Sequence, residues 1–282
     1  MGKQLTLDEI KTLERKLLCA FADFCDANGI SYFLSNGTLL GAVKYGGFIP
    51  WDDDVDLLVP RKDYDRLLRL FCDQDGMTLL ARERNPEYRY PFAKLSCNAT
   101  VLLEEKVDDG IAMGVNIDIF PLDAWADNKR KACRQVRRNK LRTKLLFHVK
   151  MKQFTTEEGR SLPGRLLRKA ANRICKRIPA GCVCDRMMRE AARYCRVPNP
   201  RNLGCVVWPV YGEREVLPAE VFETAVAVEF EGRSYPAPVG YDRYLRSLYG
   251  DYTRDLPPEQ QVTHHTFQAY WQENGGYTDE SE

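Results

Sequence analysis

The sequence predicts an α/β protein of the α+β class, with helices packed on one mixed β-sheet. Of the 282 residues, 44% are hydrophobic and 29% are charged, so the chain can bury a sizeable core and is too apolar to be disordered. Short apolar strand patterns alternate with helical periodicity up to residue 127, basic helices follow, and strand patterns return after residue 202. We therefore divide the chain into an α/β core (1–127), a basic helical region (128–202) and a C-terminal extension (203–282).

The first predicted helix begins at a capping box formed by Thr6 and Glu9, and Asn28-Gly29 ends it. A short strand and the turn Asn36-Gly37 follow, and an apolar helix then begins at Thr38. The predicted elements of the core are helices at 7–27, 38–43 and 61–72 and strands of one sheet at 31–34, 55–59, 77–81, 92–95, 100–103 and 115–120.

The charge of the chain is distributed unevenly. The net charge is +2, but residues 129–190 contain 20 Lys or Arg and four acids, so that this stretch alone carries +16. Such a basic region needs an anionic partner, whether nucleic acid, a phosphorylated glycan or a membrane surface. The predicted elements after residue 127 are helices at 128–153, 163–177, 182–195 and 242–248 and strands at 205–210 and 226–230.

The cellular location is predicted from the length of the apolar segments, the N-terminal sequence and the spacing of the cysteines. No apolar run approaches the ~20 residues of a membrane-spanning helix, and Met1 leads into polar sequence rather than a signal peptide. We therefore expect a cytoplasmic protein. The ten cysteines are scattered, which favours reduced packing residues, with a zinc site at Cys182 and Cys184 as the alternative.

A run of acids directly before a predicted strand is the most informative segment. Asp52, Asp53, Asp54 and Asp56 occupy four of five positions, and strong β-formers follow. In an extended segment Asp52, Asp54 and Asp56 share one face and project into a cleft. Carboxylates at i and i+2 suit Mg²⁺, with Mn²⁺ as the alternative, and such a metal brings phosphate with it. The other interpretation is a solvated acidic turn.

A second predicted strand repeats this arrangement. Val115, Ile117 and Ile119 share one face, and Asp118 lies on the other. If the two strands are neighbours, Asp118 joins Asp54 and Asp56 as a third carboxylate that ligates the metal or takes a proton from an attacking hydroxyl. The alternative is a salt bridge between Asp118 and an Arg or Lys.

The glycine turn is a candidate phosphate site. Gly37 allows close approach of the backbone, and the helix predicted from Thr38 directs free N–H groups and its positive dipole end toward an anion. Lys44 and Lys94 are candidate phosphate-binding cations, and the alternative is that they are ordinary surface lysines.

Three sets of motifs resemble the LicD family of phosphotransferases over about residues 32–271. They are residues 34–56, residues 117–123, and a C-terminal set at 240–252, Pro257-Pro258 and His264-His265. The resemblance implies a nucleotidyltransferase-like fold in which the glycine turn binds donor phosphate and the aspartate strand holds Mg²⁺. It also implies Mg-dependent transfer of phosphocholine, or an alditol phosphate such as ribitol phosphate, from a CDP-linked donor to a glycan hydroxyl.

Matched residue by residue, the resemblance implies the following site. The catalytic and metal-binding residues are Asp54, Asp56 and Asp118, the donor-phosphate residues are Gly37, Thr38, Lys44 and Lys94, and the substrate-binding residues are Asp52, His264 and His265. The expected partners are CDP-choline or another CDP-alcohol and a cell-surface glycan or its precursor, such as teichoic acid or lipopolysaccharide, in lipid-linked form or free.

Three alternatives remain open at this point. A nucleotidyltransferase with an NTP donor would use the same fold, and a nucleic-acid-binding module would use the basic helices. We expect no nucleic acid, because the basic stretch lacks the interleaved aromatic residues of a single-strand platform. In the predicted helix at 128–153, cations precede large apolar residues. This order suits peripheral contact with anionic lipid at the inner face of the cell membrane. A basic face that is solvated or binds the acceptor is equally compatible with it.

Overall fold

The computed structural model describes residues 2–73, 76–104, 107–151, 173, 175, 177–255, 257, 259, 261 and 267–273. His264, His265 and most of the predicted helix at 163–177 lie outside the described residues. Within them, the α-helices are α1 (Leu7–Asn28), α2 (Asn36–Tyr45), α3 (Arg61–Leu70), α4 (Lys129–Lys150), α5 (Ala180–Ala191) and α6 (Tyr241–Tyr249). Short 3-10 helices cover Ala192–Tyr194, Gly212–Glu215 and Ala219–Phe222.

The strands form one mixed sheet and two small antiparallel pairs. They are β1 (Phe33–Leu34), β2 (Asp56–Pro60), β3 (Met77–Leu80), β4 (Ala93–Cys97), β5 (Thr100–Leu103), β6 (Asn116–Ala124), β7 (Asn202–Gly204), β8 (Leu217–Pro218), β9 (Ala225–Phe230), β10 (Arg233–Pro238) and β11 (Gln268–Trp271). The main sheet has the order β1-β2-β6-β4-β3, and β7 joins β8 to β6. Because β2 and β6 are parallel and the other pairs are antiparallel, the predicted mixed sheet and α+β class are confirmed.

The first helix shows how directly local sequence determines local structure. The Thr6 hydroxyl accepts from the Glu9 amide at 3.2 Å, and the Thr6 amide donates to the Glu9 carboxylate at 2.7 Å. Gly29 ends α1 in the left-handed region, with φ 57°. The predicted capping box is therefore confirmed, and both ends of α1 lie within a residue or so of their predicted places.

Two strand predictions are wrong. Both edges of β4 are occupied by β3 and β6, so β5 leaves the main sheet and pairs with β11. Residues 205–210 form no strand, although Cys205, Val206 and Val207 are buried in the core. An apolar run shows that a segment is buried but does not distinguish a buried loop from a strand, and Pro209 has no N–H for a sheet.

One large core joins the three predicted regions. It contains Phe21 of α1, Leu57 of β2, Val136 of α4, Val207 and Leu245 of α6. A smaller cluster forms where α4 packs on α5. The domain boundaries therefore stay a prediction. No helix in the described part of the chain is long and apolar enough to cross a membrane.

The register of the central strands positions the site. Asp56 of β2 lies beside Asp118 of β6 in the parallel pair, and Lys94 of β4 lies beside Asp118 in the antiparallel pair. Two carboxylates and an ammonium group therefore form one row across three adjacent strands. The hypothesis that the two aspartate-bearing strands are neighbours is confirmed.

A carboxylate cavity as the candidate active site

A cavity of about 520 Å³ opens where α2 and β2 begin. One part of its lining comes from α2, from segment 49–56 and from β6, which supplies Asp118 and Phe120. Another part comes from segments 205–215 and 249–254. The cavity thus joins the first, second and third sequence motifs, which are separated by up to about two hundred residues along the chain.

The alternating aspartates reach this cavity as predicted, although they are not on a paired strand. Asp52, Asp54 and Asp56 line the cavity, whereas the intervening Asp53 is buried away from it. Strand β2 begins only at Asp56, so the first two of these carboxylates lie in the extended segment that leads into the sheet. The alternation of an extended chain is sufficient to place them on one side.

Asp56 is the most buried aspartate of the lining. Burial raises its pKa well above the ordinary value, and the negative charges of Asp54 and Asp118 raise it further. A hydrogen bond from Asn36 Nδ2 to Asp56 Oδ2, at 3.0 Å, opposes this rise. The site therefore concentrates negative charge in a place where water screens it poorly.

Thr38 supports the start of β2. Its hydroxyl oxygen accepts a hydrogen bond from the Asp56 amide at 2.8 Å, and the residue is 2% exposed. Thr38 is not among the residues that line the cavity, so its predicted part in phosphate binding stays a prediction. Helix α2 begins two residues earlier than predicted, and Asn36 and Gly37 of its first turn face the cavity. The positive end of the helix dipole therefore lies at the cavity.

Gly37 is required by a close approach. A Cβ atom at this position would lie 2.6 Å from Oδ2 of Asp52, well inside van der Waals contact. Any larger residue would displace that carboxylate. The sequence predicts that Gly37 permits a close approach. The group that approaches it is the Asp52 side chain of the aspartate segment.

Asn36 is a site residue that the sequence analysis missed. Its φ of 45° lies in the left-handed region, where asparagine is tolerated better than most residues. Its Oδ1 accepts from the Tyr244 hydroxyl at 2.8 Å while its Nδ2 donates to Asp56. Asn36 thus connects α6 to the buried carboxylate. The only sequence signal was the Asn-Gly pair, which also predicts a plain turn.

Asp118 lines the cavity and also forms an ion pair. Lys94 Nζ donates to the Asp118 carboxylate and, at 3.0 Å, to Asn116 Oδ1. Lys94 stands behind Asp118 and is not part of the lining, so the salt bridge that was the alternative for Asp118 is present. A carboxylate held in this way still has a second oxygen to offer to a ligand.

Lys44 lines the cavity near the C-terminal segment. Its ammonium group donates to the Arg254 carbonyl at 2.7 Å and forms an ion pair with Asp255 at 2.8 Å. Burial alone would lower the pKa of Lys44, but the hydrogen bond and charge of Asp255 outweigh it and raise the pKa. Lys44 is therefore a fixed cation at the cavity, as a phosphate-binding role needs.

Aromatic side chains make up much of the remaining lining, and the sequence analysis did not assign them to the site. They are Tyr45, Trp51, Trp208, Tyr211, Tyr249 and Tyr252. Two pairs meet edge to face, Tyr45 with Trp51 at 6.4 Å between ring centroids and Tyr211 with Tyr249 at 5.2 Å. The cavity therefore offers aromatic rings beside its carboxylates.

Glu215 is a second missed residue. It lines the cavity, and its carboxylate accepts from the Tyr211 amide at 2.6 Å. Burial raises its pKa to about 8, although hydrogen bonds from the backbone at Tyr211 and Gly212 act in the opposite direction. Glu215 thus fixes the loop that brings Trp208 to the cavity.

Glu14 of α1 extends the acidic cluster into the core. It is 2% exposed, and its Oε2 has no hydrogen-bond partner in the described part of the chain. Burial raises its pKa well above the ordinary value, and the charges of Asp54 and Asp53 add to this. No sequence pattern indicated this, because Glu14 has the position of an ordinary acid on an amphipathic helix.

The donor atoms of the cavity fit Mg²⁺. No group of three His, Cys, Asp or Glu side chains within the described ranges is already arranged as a complete metal site. Mg²⁺ is usually held by one or two carboxylates, with substrate phosphates and waters as the other ligands. Asp54 and Asp56, which line the same cavity as the start of α2, meet that requirement.

Comparison with known proteins identifies a matching family model and several relatives. Residues 29–157 match the model of the LicD/FKTN/FKRP nucleotidyltransferase domain. The lipopolysaccharide cholinephosphotransferase LicD of Haemophilus influenzae is 28% identical over 276 residues, which is 95% of this chain and 99% of that protein. The ribitol 5-phosphate transferase FKRP of Homo sapiens is 50% identical over 38 residues, covering 14% of this chain and 8% of that protein. Mannosyltransferase regulator 4 of Saccharomyces cerevisiae is 42% identical over 85 residues, covering 30% of this chain and 7% of that protein.

Proposed function

We propose that this chain, a transferase of phosphate-containing groups with a LicD-family nucleotidyltransferase domain, moves phosphocholine from CDP-choline to a hydroxyl of a cell-surface glycan. The predicted family is confirmed by the matched domain and by the relative that aligns over nearly the whole chain. The donor, the metal and the acceptor are parts of the proposal. The observation that supports it best is that Asp54, Asp56 and Asp118 share one cavity with the first turn of α2.

The donor diphosphate is proposed to lie at the first turn of α2. There the backbone at Gly37 can approach a phosphate oxygen, and Lys44 adds a fixed positive charge. Asp54 and Asp56 would hold Mg²⁺. When bound, this ion neutralises charge on the diphosphate oxygens and so lowers the barrier to attack. Asn36 would keep the Asp56 carboxylate oriented through its hydrogen bond.

The acceptor hydroxyl is proposed to attack the phosphorus atom that bears choline. The new bond joins the hydroxyl oxygen to this phosphorus, and the bond from the phosphorus to the bridging oxygen breaks, so CMP leaves. Asp118 would accept the hydroxyl proton. Lys94 would orient Asp118 through its hydrogen bond to the carboxylate. Transfer of this kind depends mainly on positioning and charge neutralisation, which the cavity residues can supply.

The aromatic lining supports choline over a polyol as the transferred alcohol. A quaternary ammonium group has no N–H to donate and is bound best by the faces of Trp and Tyr rings. Trp51 and Tyr45 line the cavity next to Asp52, which adds a compensating negative charge. The FKRP relative makes ribitol phosphate the second candidate, because a short segment of this chain is 50% identical to that transferase.

Measurement of CMP release tests the proposal. The purified chain is incubated with Mg²⁺ and CDP-choline, CDP-ribitol or CDP-glycerol, with and without lipopolysaccharide or teichoic-acid precursors. We expect acceptor-dependent CMP release that is fastest with CDP-choline and is lost with EDTA. Asp54→Asn should be inactive, whereas the control Asp26→Asn, at a 73% exposed side chain outside the cavity, should retain activity.

The same assay distinguishes the alternatives. Release of diphosphate from an NTP, with no CMP from any CDP-alcohol, would replace the proposal with nucleotidyl transfer. Highest turnover with CDP-ribitol would keep the reaction type and overturn the assignment of choline.

A further inference from the structure

A continuous stripe on α4 combines positive charge with an exposed apolar residue. Arg130, Arg134, Arg137, Leu141 and Lys144 follow one another at intervals of three and four residues, so they share one face of the helix. All five are exposed, and Leu141, in the midst of the cations, is 68% exposed. A leucine side chain that protrudes this far into water among arginines contributes nothing to the core.

The cations of this stripe have little charge compensation from the described part of the chain. Arg137 approaches Glu213 only to 3.8 Å, and both side chains are largely exposed. No ion pair to a described residue is present for Arg130, Arg134 or Lys144. The stripe therefore attracts anions from outside the molecule.

Helix α4 adjoins the cavity through a residue beside the stripe. Phe147, on the flank of α4, is 45% exposed, and its ring centroid lies 5.5 Å from that of Trp208, which lines the cavity. Val210 of the same cavity segment is 57% exposed. Exposed apolar side chains thus lie both on α4 and at the rim of the cavity.

We propose that this face of α4 docks the protein on the surface of an anionic lipid bilayer. Basic side chains near such a surface are attracted by its negative potential, and exposed apolar side chains beside them enter the interfacial layer. Leu141 and Phe147 favour this occupant over a soluble phosphorylated acceptor. Cations alone are sufficient to bind a soluble polyanion, whereas protruding apolar side chains gain free energy only by leaving water.

Docking in this orientation brings the rim at Trp208 and Val210 toward the lipid headgroups. An acceptor glycan that is attached to lipid would then reach the cavity without leaving the bilayer. This consequence rests on the proposed function, but the docking itself does not, because it involves neither donor nor acceptor. A vesicle experiment without either substrate can therefore fail while the CMP assay succeeds, and the reverse is equally possible.

Vesicle sedimentation with the full chain tests the proposal. We expect binding to phosphatidylcholine vesicles that contain phosphatidylglycerol, no binding to phosphatidylcholine alone, and weakening by salt. The triple variant R130E/R134E/K144E should bind about 100-fold more weakly or worse, since each cation near an anionic surface contributes about 1 kcal/mol. Leu141→Ser should weaken binding about tenfold at unchanged charge.

Matched controls separate the α4 face from net charge and from general hydrophobicity. The triple variant R15E/K62E/R69E changes exposed cations of α1 and α3 by the same amount, and Leu70→Ser removes another exposed leucine. Both should bind vesicles like the wild type, and circular dichroism should show all variants folded. The proposal is overturned if wild-type protein ignores anionic vesicles, or if the control triple variant loses as much binding as the α4 triple variant. It is also overturned if the α4 triple variant only raises KM for a soluble phosphorylated acceptor.

Discussion

The aspartates of the cavity and the cations of α4 are both clusters of like charge, but they lie at different depths. Burial raises the pKa of Asp56 and of Glu14, and the charges of neighbouring aspartates raise both further. Arg134 and Lys144 are exposed. Water screens the repulsion between exposed cations, whereas buried carboxylates repel one another at short range through a medium of low polarity.

This difference explains what each cluster can do. A buried cluster costs stability unless a cation joins it. Lys94 pairs with Asp118 in this way, and Mg²⁺ would join Asp54 and Asp56 in the proposed function. An exposed cluster costs the fold little, so its side chains stay available to a large anionic surface. Burial therefore separates a site for chemistry from a surface for attachment, even though both begin as runs of like charge in the sequence.

Removal of a carboxylate from the cavity should have the largest effect. Asp54→Asn or Asp56→Asn should reduce CMP release by about 100-fold to 1,000-fold or more, because a group that organises charge at the reacting phosphate is lost. The melting temperature without metal should hold or rise, since repulsion in the buried cluster is relieved. Calorimetry with and without Mg²⁺ measures the second effect. Near-normal turnover in either variant, or wild-type activity that survives exhaustive EDTA treatment, would refute the metal assignment.

Loss of the group that orients Asp56 should have a smaller effect. Asn36→Ala removes the hydrogen bond to Asp56, and kcat/KM should fall about 10-fold to 100-fold, as is usual for a residue that orients a metal ligand. The Mg²⁺ concentration needed for half-maximal rate should rise with it. Tyr244→Phe serves as the matched variant. It removes the hydroxyl that donates to Asn36 Oδ1 and accepts from the Asn36 amide but keeps the hydrogen bond from Asn36 to Asp56, so its loss should be smaller. Equal Mg²⁺ dependence in all three proteins would show that Asn36 has no part in orienting the carboxylate.

The buried Glu215 should appear in the pH dependence of stability. Its pKa is about 8 in the fold against an ordinary 4.5, so between these values the folded state keeps a proton that the unfolded state has lost. Stability therefore falls as pH rises through this window, by up to about 1.4 kcal/mol per pH unit for one group. In Glu215→Gln this part of the slope should disappear. Urea unfolding from pH 5 to 9 measures it, and identical slopes in the two proteins would contradict the assignment.

Changes on α4 should have the smallest effect on the fold. R130E/R134E/K144E should alter the free energy of unfolding by no more than about 0.5 kcal/mol, because the three side chains are exposed. Urea unfolding at low salt tests this, with R15E/K62E/R69E as the charge-matched control. A loss of several kcal/mol in the α4 variant alone would mean that its cations are structural and would remove the contrast between the two clusters.

Much of the aspartate side of the cavity could be predicted, because the positions of its residues depend on neighbours only a few residues away in the sequence. The alternation of Asp52, Asp54 and Asp56 places them together in any extended conformation, and Gly37 marks a close approach. The neighbouring position of Asp118 was a conditional prediction from a second strand of the same pattern. What could not be predicted is which side chains meet Asp118, since Lys94 reaches it through the register of another strand.

The sequence by itself determined the α+β class, most helices, the capped start of α1 and the set of aspartates, because hydrophobic period, caps and alternation act over a few residues. Only the tertiary structure decided that Tyr244 reaches Asp56 through Asn36, that Glu215 fixes a cavity loop, and that β5 leaves the main sheet. These contacts join residues far apart in the chain. They depend on which strand edges are free and on how the elements pack. A pattern within one segment of the sequence determines neither of these.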